Sequence, residues 1–350
     1  MVDTKITIAI VGLGYVGLPI AIEFGKYFKT IGYDLSKTKI NSYKKKSDPN
    51  KEVASKEFYK HVFWRTLSIF LAGCFIHAYP FIQQDWDWSS FRIMGVLQRI
   101  ALAYGIAAII VIHFDLKKIL ISSIGILTFY WGLLWLGGGS DPYSLESNLI
   151  RKIDIFILGE KHLYGGTGIQ FDPEGLLSTI PSVVTVLIGY LVGAMLHTTK
   201  DFLDNIKRMS LFGSILIILG LIWGLIFPIN KQLWTSSYVL FTGGIATLVL
   251  AFLSWVIDIK KVRKPLWAFK VFGTNSILLF VLSGLWTKTI LKISFSLNDA
   301  KVSGYSYLYK SLFVPLAGDL NGSLLFALSH VLGFWLILYW LYRKKIFINL

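Results

Sequence analysis

This chain has little cysteine, little acid and little charge of either sign. Its single cysteine, Cys74, lies inside an apolar run, which excludes an intrachain disulfide framework and leaves the thiol a packing role. Only 16% of the 350 residues are charged, too few to clothe a soluble protein of this length. Acidic residues number 20 against 35 Lys and Arg, a net charge of +15. That excess does not signal nucleic acid, because the basic residues sit in short connections between apolar segments rather than along one face.

Apolar and aromatic residues fill the place of the missing charge: 54% of the chain is hydrophobic, 15% is aromatic, and the mean hydropathy is +0.60. From residue 62 onward, eight stretches near 62–81, 94–113, 118–136, 176–197, 209–228, 234–257, 271–291 and 321–342 approach the roughly 20 residues that cross a bilayer. The composition and spacing predict an all-α integral membrane bundle of about eight transmembrane helices over residues 62–350. With the N-terminus assigned to the cytoplasm, 25 Lys and Arg fall on that side and 9 on the other, with Arg99 inside a span. The asymmetry places both termini in the cytoplasm and the chain in the inner membrane. A basic belt on the cytoplasmic face, including Lys260, Lys261, Arg263, Lys264 and Lys270, meets anionic lipid or attracts a phosphate-bearing donor.

The first 51 residues differ from the rest. A β-type run at 5–11 precedes Gly12-Leu13-Gly14-Tyr15-Val16-Gly17, a helix-like stretch, a second short strand at 30–33, and Asp34. Strand, GxGxxG, helix and a terminal acid form the dinucleotide fingerprint, in which Gly12, Gly14 and Gly17 admit a pyrophosphate and Asp34 takes a ribose hydroxyl. The reading is a partial Rossmann-like βαβ fragment, with NAD as its cofactor. So small a piece buries too little core to bind NAD stably by itself. A basic linker over 52–61 follows.

On the outer side of this topology the long connection 137–175 is too large for a plain connector, and it holds Asp154, His162, Tyr164, Asp172 and Glu174. Phe171-Asp172-Pro173-Glu174-Gly175 runs straight into the span at 176: two acids where a helix N-terminus favours them, at the mouth of a membrane helix. Gln98-Arg99 is the polar pair inside the second span, and an arginine there is costly enough to predict a partner, Asp172 or Glu174; snorkelling to the outer interface is the alternative. Six histidines are available for proton or acyl transfer. His61, His113 and His197 read as interfacial, His77 ends the first span, His330 reads as packing in the last, and His162 is the outer-loop candidate. Asp172, Glu174 and His162 are thus the catalytic candidates, and Gln98, Arg99, Asp172, Glu174, Trp234 and Asn275 the substrate-binding ones. No residue set is assigned to a metal.

The wording Gly12-Leu-Gly-Tyr-Val-Gly-Leu-Pro19, followed by Gly32-Tyr33-Asp34, resembles the start of the UDP-sugar dehydrogenases, and the resemblance ends near residue 51. The remainder resembles another family. Arg92-Ile-Met-Gly-Val-Leu-Gln-Arg-Ile100, Leu158-Gly-Glu-Lys-His-Leu-Tyr164, Phe171-Asp-Pro-Glu-Gly-Leu-Leu-Ser-Thr-Ile-Pro181, Asn230-Lys-Gln-Leu-Trp-Thr-Ser-Ser-Tyr238, Gly273-Thr-Asn-Ser-Ile277 and Leu341-Tyr-Arg-Lys-Lys-Ile-Phe347 look like the heparan-α-glucosaminide N-acetyltransferases and their bacterial relatives. The resemblance implies acetyl transfer across a membrane, from cytoplasmic acetyl-CoA to the amine of a hexosamine. It also implies a transfer histidine in an outer loop after the first membrane helix. None of the six histidines here matches that block, and the dinucleotide-like piece stands in its place, so the chain reads as a truncated or chimeric frame lacking the family's first helices. Three readings follow: an acetyltransferase-like enzyme, inactive if the missing block is essential; a non-catalytic membrane protein that binds or transports a sugar; and an NAD-dependent UDP-sugar dehydrogenase fragment. The expected partners are the lipid bilayer, an amino-sugar acceptor and, as an open alternative, a second copy of the chain.

Overall fold

Inside hydrocarbon every backbone N–H and C=O must be paired within the protein, so long apolar stretches become helices. The computed structural model describes residues 3–11, 28–33, 50–80, 88–196, 201–297 and 299–348. These fall into two units, Met1–Arg65 and Thr66–Leu350. In the first, strands β1 (Asp3–Val11) and β2 (Phe28–Tyr33) pair in parallel, with Thr7 opposite Lys29 and Val11 opposite Tyr33. This two-stranded sheet does not amount to the expected Rossmann-like fragment. The segment between the strands, with Gly12, Gly14 and Gly17, and Asp34 after them, lies outside the described residues.

The membrane part begins with Phe58–Ala78 of helix α1 (Asn50–Ala78). It continues through α2 (Val96–His113), α3 (Leu116–Gly137), the short α4 (Leu149–Leu158), α5 (Leu176–Met195), α6 (Phe202–Gly224) and α7 (Ser236–Ser254), which a π-helical turn extends to Ile259. Then come α8 (Trp267–Gly273) and α9 (Ser276–Lys292), a small antiparallel hairpin of β3 (Ser294–Leu297) and β4 (Ala300–Ser303), α10 (Gly304–Leu308) and α11 (Val314–Arg343). Among the described residues seven helices are long and apolar enough to cross a membrane, and α8 with α9, bent by 76°, make an eighth span if taken together. The chain is a multi-pass membrane protein.

Helix ends follow local chemistry. Asp115, Asn148, Asp201 and Thr235 each accept a hydrogen bond from a backbone N–H in the first turn they precede. Gly318, at φ +74°, interrupts α11 close to where hydropathy places the start of the last span.

Helix α5 is the most enclosed span, with Val184, Leu187 and Ile188 buried against α2, α3 and α7. Helices α6 and α7 form the closest pair, because small residues let their backbones meet. A β-carbon at Gly220 would lie 2.7 Å from Phe241 N, and one at Gly244 would lie 2.6 Å from Gly213 O.

Candidate functional site at the mouth of the bundle

Helices α2, α5 and α7 run in the same sense, so their N-termini share one end of the bundle, here called the mouth. Side chains tie the three together. Arg99, in the first turn of α2, donates from Nη2 to the Pro173 carbonyl and to Ser178 Oγ at the start of α5. Its guanidinium lies 4.6 Å from the ring centroid of Trp234, just before α7, and the Trp234 indole donates to Thr185 Oγ1 at 3.3 Å. Three helix N-termini concentrate partial positive charge, which favours acids between them.

Those acids come from the loop before α5 and from α4. Asp172, with no exposed surface, accepts Arg92 Nε at Oδ2 (2.9 Å) and Arg92 Nη2 at Oδ1 (2.8 Å), and the same Nη2 reaches Glu174 Oε2 at 2.8 Å. Asp172 Oδ1 also accepts the Glu174 backbone N–H at 3.0 Å, and Arg92 stacks 4.6 Å from the Tyr164 ring centroid. Burial works against the Arg92 charge, but Asp172 and then Glu174 outweigh it and raise its pKa above the ordinary arginine value. The expected pairing of Arg99 with Asp172 or Glu174 is therefore corrected: Arg92 is the partner. Arg92 stands in the non-helical segment ahead of α2, where its side chain reaches the acidic loop in fork geometry, whereas Arg99, in the first turn of α2, meets Trp234 and α5.

Asp154 completes the cluster. It lies on the inward face of α4 and is 1% exposed; its Oδ1 accepts the Leu176 N–H, the first of α5, at 3.0 Å. Oδ2 has no hydrogen-bond partner among the described residues and packs onto Gly175, where a β-carbon would overlap it. Burial pushes this carboxyl up to about 7, against the pull of the Leu176 and Leu177 N–H groups and of Arg99.

The histidines act as braces. His162 Nδ1 donates to the Phe91 carbonyl at 2.7 Å and His77 Nδ1 to the Arg92 carbonyl at 2.8 Å, so both fix the segment that carries Arg92. His162 is thus committed to the backbone rather than to Asp172 or Glu174. His330 donates to the Phe326 carbonyl at 2.8 Å and lines an apolar cavity of about 640 Å³ with Trp286 and Phe326; no carboxylate lines it. His197 lies outside the described residues.

The other sequence candidates divide. Arg99, Asp172, Glu174 and Trp234 meet at the mouth. Gln98 is fully buried between α1 and α2, 3.8 Å from Cys74 Sγ and so close to Gly73 that a β-carbon there would strike it. Asn275 is at the far end of the bundle, donating to the Ile346 carbonyl at 3.1 Å and accepting the Ile348 N–H at 2.8 Å. It pins the C-terminal segment. Sequence reading assigned no role to Arg92, Asp154 or Ser178; an acid four residues after buried Ile150 on an amphipathic helix is the signal that marks Asp154.

No protein-family model matches the chain. Curated relatives do: heparan-alpha-glucosaminide N-acetyltransferase of Mus musculus is 30% identical over 278 residues, covering 63% of this chain and 41% of that protein. The Homo sapiens protein of the same name is 28% identical over 274 residues, covering 62% and 41%. The chain spans about two fifths of the length of these relatives. UDP-N-acetyl-D-glucosamine 6-dehydrogenase of Salmonella typhi is 47% identical over 53 residues, 15% of this chain and 12% of that protein. Over 63% of its length, then, this multi-pass membrane chain is similar to the heparan-alpha-glucosaminide N-acetyltransferases, and its N-terminal stretch is similar instead to the UDP-N-acetyl-D-glucosamine 6-dehydrogenases.

Proposed function

We propose that the bundle is a membrane acetyltransferase-like protein whose mouth receives an amino sugar. The observation that carries this reading is the state of Glu174. One carboxylate oxygen binds Arg92; the other has no partner among the described residues, and the side chain keeps 20% of its surface exposed. Buried Asp172 is saturated by Arg92, so Glu174 is the acid left to meet a ligand ammonium, with Trp234 and Tyr164 as flat apolar walls for a sugar ring. The names of the relatives support a hexosamine acceptor and an acetyl donor.

In this reading the mouth faces outward, both termini are cytoplasmic, and acetyl-CoA arrives from the cytoplasm. The acceptor ammonium sheds a proton, its nitrogen bonds the acetyl carbonyl carbon, and the carbon–sulfur bond breaks. The products are the N-acetylated sugar, the free thiol and one proton. Membrane vesicles carrying the protein, supplied with labelled acetyl-CoA and glucosamine, test it: label in N-acetylglucosamine above that of empty vesicles supports transfer.

A second reading, sugar binding or transport without chemistry, is favoured by the histidines. His162 and His77 each spend Nδ1 on a backbone carbonyl of the 91–95 segment rather than on an acid of the mouth. Saturable glucosamine binding without label transfer selects it.

A further inference from the structure

The basic belt at the end opposite the mouth has no part in the reading above. Between the end of α7, α8 and the end of α11 lies a cavity of about 660 Å³, a size typical of ligand pockets, lined by Leu253, Ile257, Trp267 and Tyr342 together with Arg263 and Lys270. Its aromatic wall is fixed. The Trp267 ring meets Trp335 and Tyr339 edge-on at 5.3 and 5.4 Å, those two stack at 5.1 Å, and the Trp335 indole donates to the Ala268 carbonyl at 3.1 Å. The π-helical turn Trp255–Ile259 widens the last turn of α7 beside it.

Charge here is one-sided. Lys260, Lys261, Arg263, Lys264, Lys270, Arg343, Lys344 and Lys345 flank the cavity in sequence, against the single acid Asp258. Among the described residues none of these eight cations lies within 4.0 Å of a carboxylate. We propose that this cavity binds a phosphate ester carried on an apolar body: Arg263 and Lys270 take the phosphate, and the aliphatic and indole walls take the rest. Arginine offers a planar fork matched to phosphate oxygens, and tryptophan suits the headgroup level of a bilayer. A glycerophospholipid of the surrounding leaflet and a soluble nucleotide present the same phosphate; the apolar walls favour the lipid.

Native mass spectrometry of the full chain in detergent, titrated with phosphatidylglycerol, uncharged diacylglycerol and ADP, tests the proposal. Phosphatidylglycerol is expected to stay bound and diacylglycerol to be lost, with phosphatidylglycerol affinity roughly 30-fold lower in R263Q/K270Q. I257W, which fills the cavity and keeps both cations, is expected to lose the lipid as well. Displacement of phosphatidylglycerol by ADP identifies a soluble nucleotide as the source, and its persistence identifies the lipid. Equal retention of diacylglycerol, or of phosphatidylglycerol by either variant, overturns the proposal.

Discussion

Arg92 and Asp172 hold one another through two parallel hydrogen bonds across 80 residues of chain, Nε to Oδ2 at 2.9 Å and Nη2 to Oδ1 at 2.8 Å. The pair straps the segment before α2 to the loop before α5, and it leaves Glu174 Oε1 without a hydrogen-bond partner among the described residues.

Removing Arg92 strands a carboxylate with no exposed surface. Arg92→Leu is expected to cost about 3–5 kcal/mol, read as a lowered thermal midpoint in detergent, and R92L/D172N is expected to recover most of that loss. A double variant no more stable than R92L contradicts the strap.

Asp154 gives stability a pH dependence of defined sign. Its carboxyl is held at about 7 in the folded chain, against an ordinary value of 3.8. The folded state therefore keeps a proton that the unfolded state gives up. This contribution is present in full below about pH 4 and is gone once pH has risen past about 7, a loss of at most about 4 kcal/mol. Asp154→Asn keeps the acceptor for the Leu176 N–H and cannot ionise. Thermal midpoints between pH 5 and 8 are expected to fall for the wild type and to flatten in D154N; parallel profiles contradict the assignment.

Gly175 is required because Asp154 Oδ2 occupies the space a side chain would need. Gly175→Ala is expected to destabilise by about 1–3 kcal/mol through overpacking. In G175A/D154A the collision disappears, so a thermal double-mutant cycle is expected to show coupling of at least about 1 kcal/mol. Additive losses rule the contact out.

The α6–α7 pair rests on Gly220 and Gly244. Gly220→Leu is expected to separate the two helices and lower the thermal midpoint, whereas leucine at Gly125, where a β-carbon would meet nothing within 4 Å, is expected to be neutral. Equal effects at the two positions contradict the packing account.

The spans were legible in the sequence because hydropathy records contact with lipid, which these helices keep along one side. The stretch read at 118–136 is Leu116–Gly137, and that read at 176–197 is Leu176–Met195. Hydropathy did not show the 76° bend between Gly273 and Ser276, where Asn275 binds the C-terminal backbone. Nor did it show which arginine meets the acids. Arg92 and Arg99 are seven residues apart in a single motif, and the helix that starts at Val96 separates them: Arg92 precedes it and Arg99 lies in its first turn. Asp154 was legible as an acid of the long connection but not as a buried one, because α4 is too short to stand out from the loop, although its apolar face carries the acid inward beside Ile150.

The proposed function requires Glu174 to meet the ammonium of a sugar at the mouth. Equilibrium binding of labelled glucosamine to the detergent-purified full chain tests it most directly. Saturable binding that glucose does not displace, weakened about tenfold or more in Glu174→Gln, is the expected result. No saturable binding, or equal affinity in the wild type and E174Q, contradicts it.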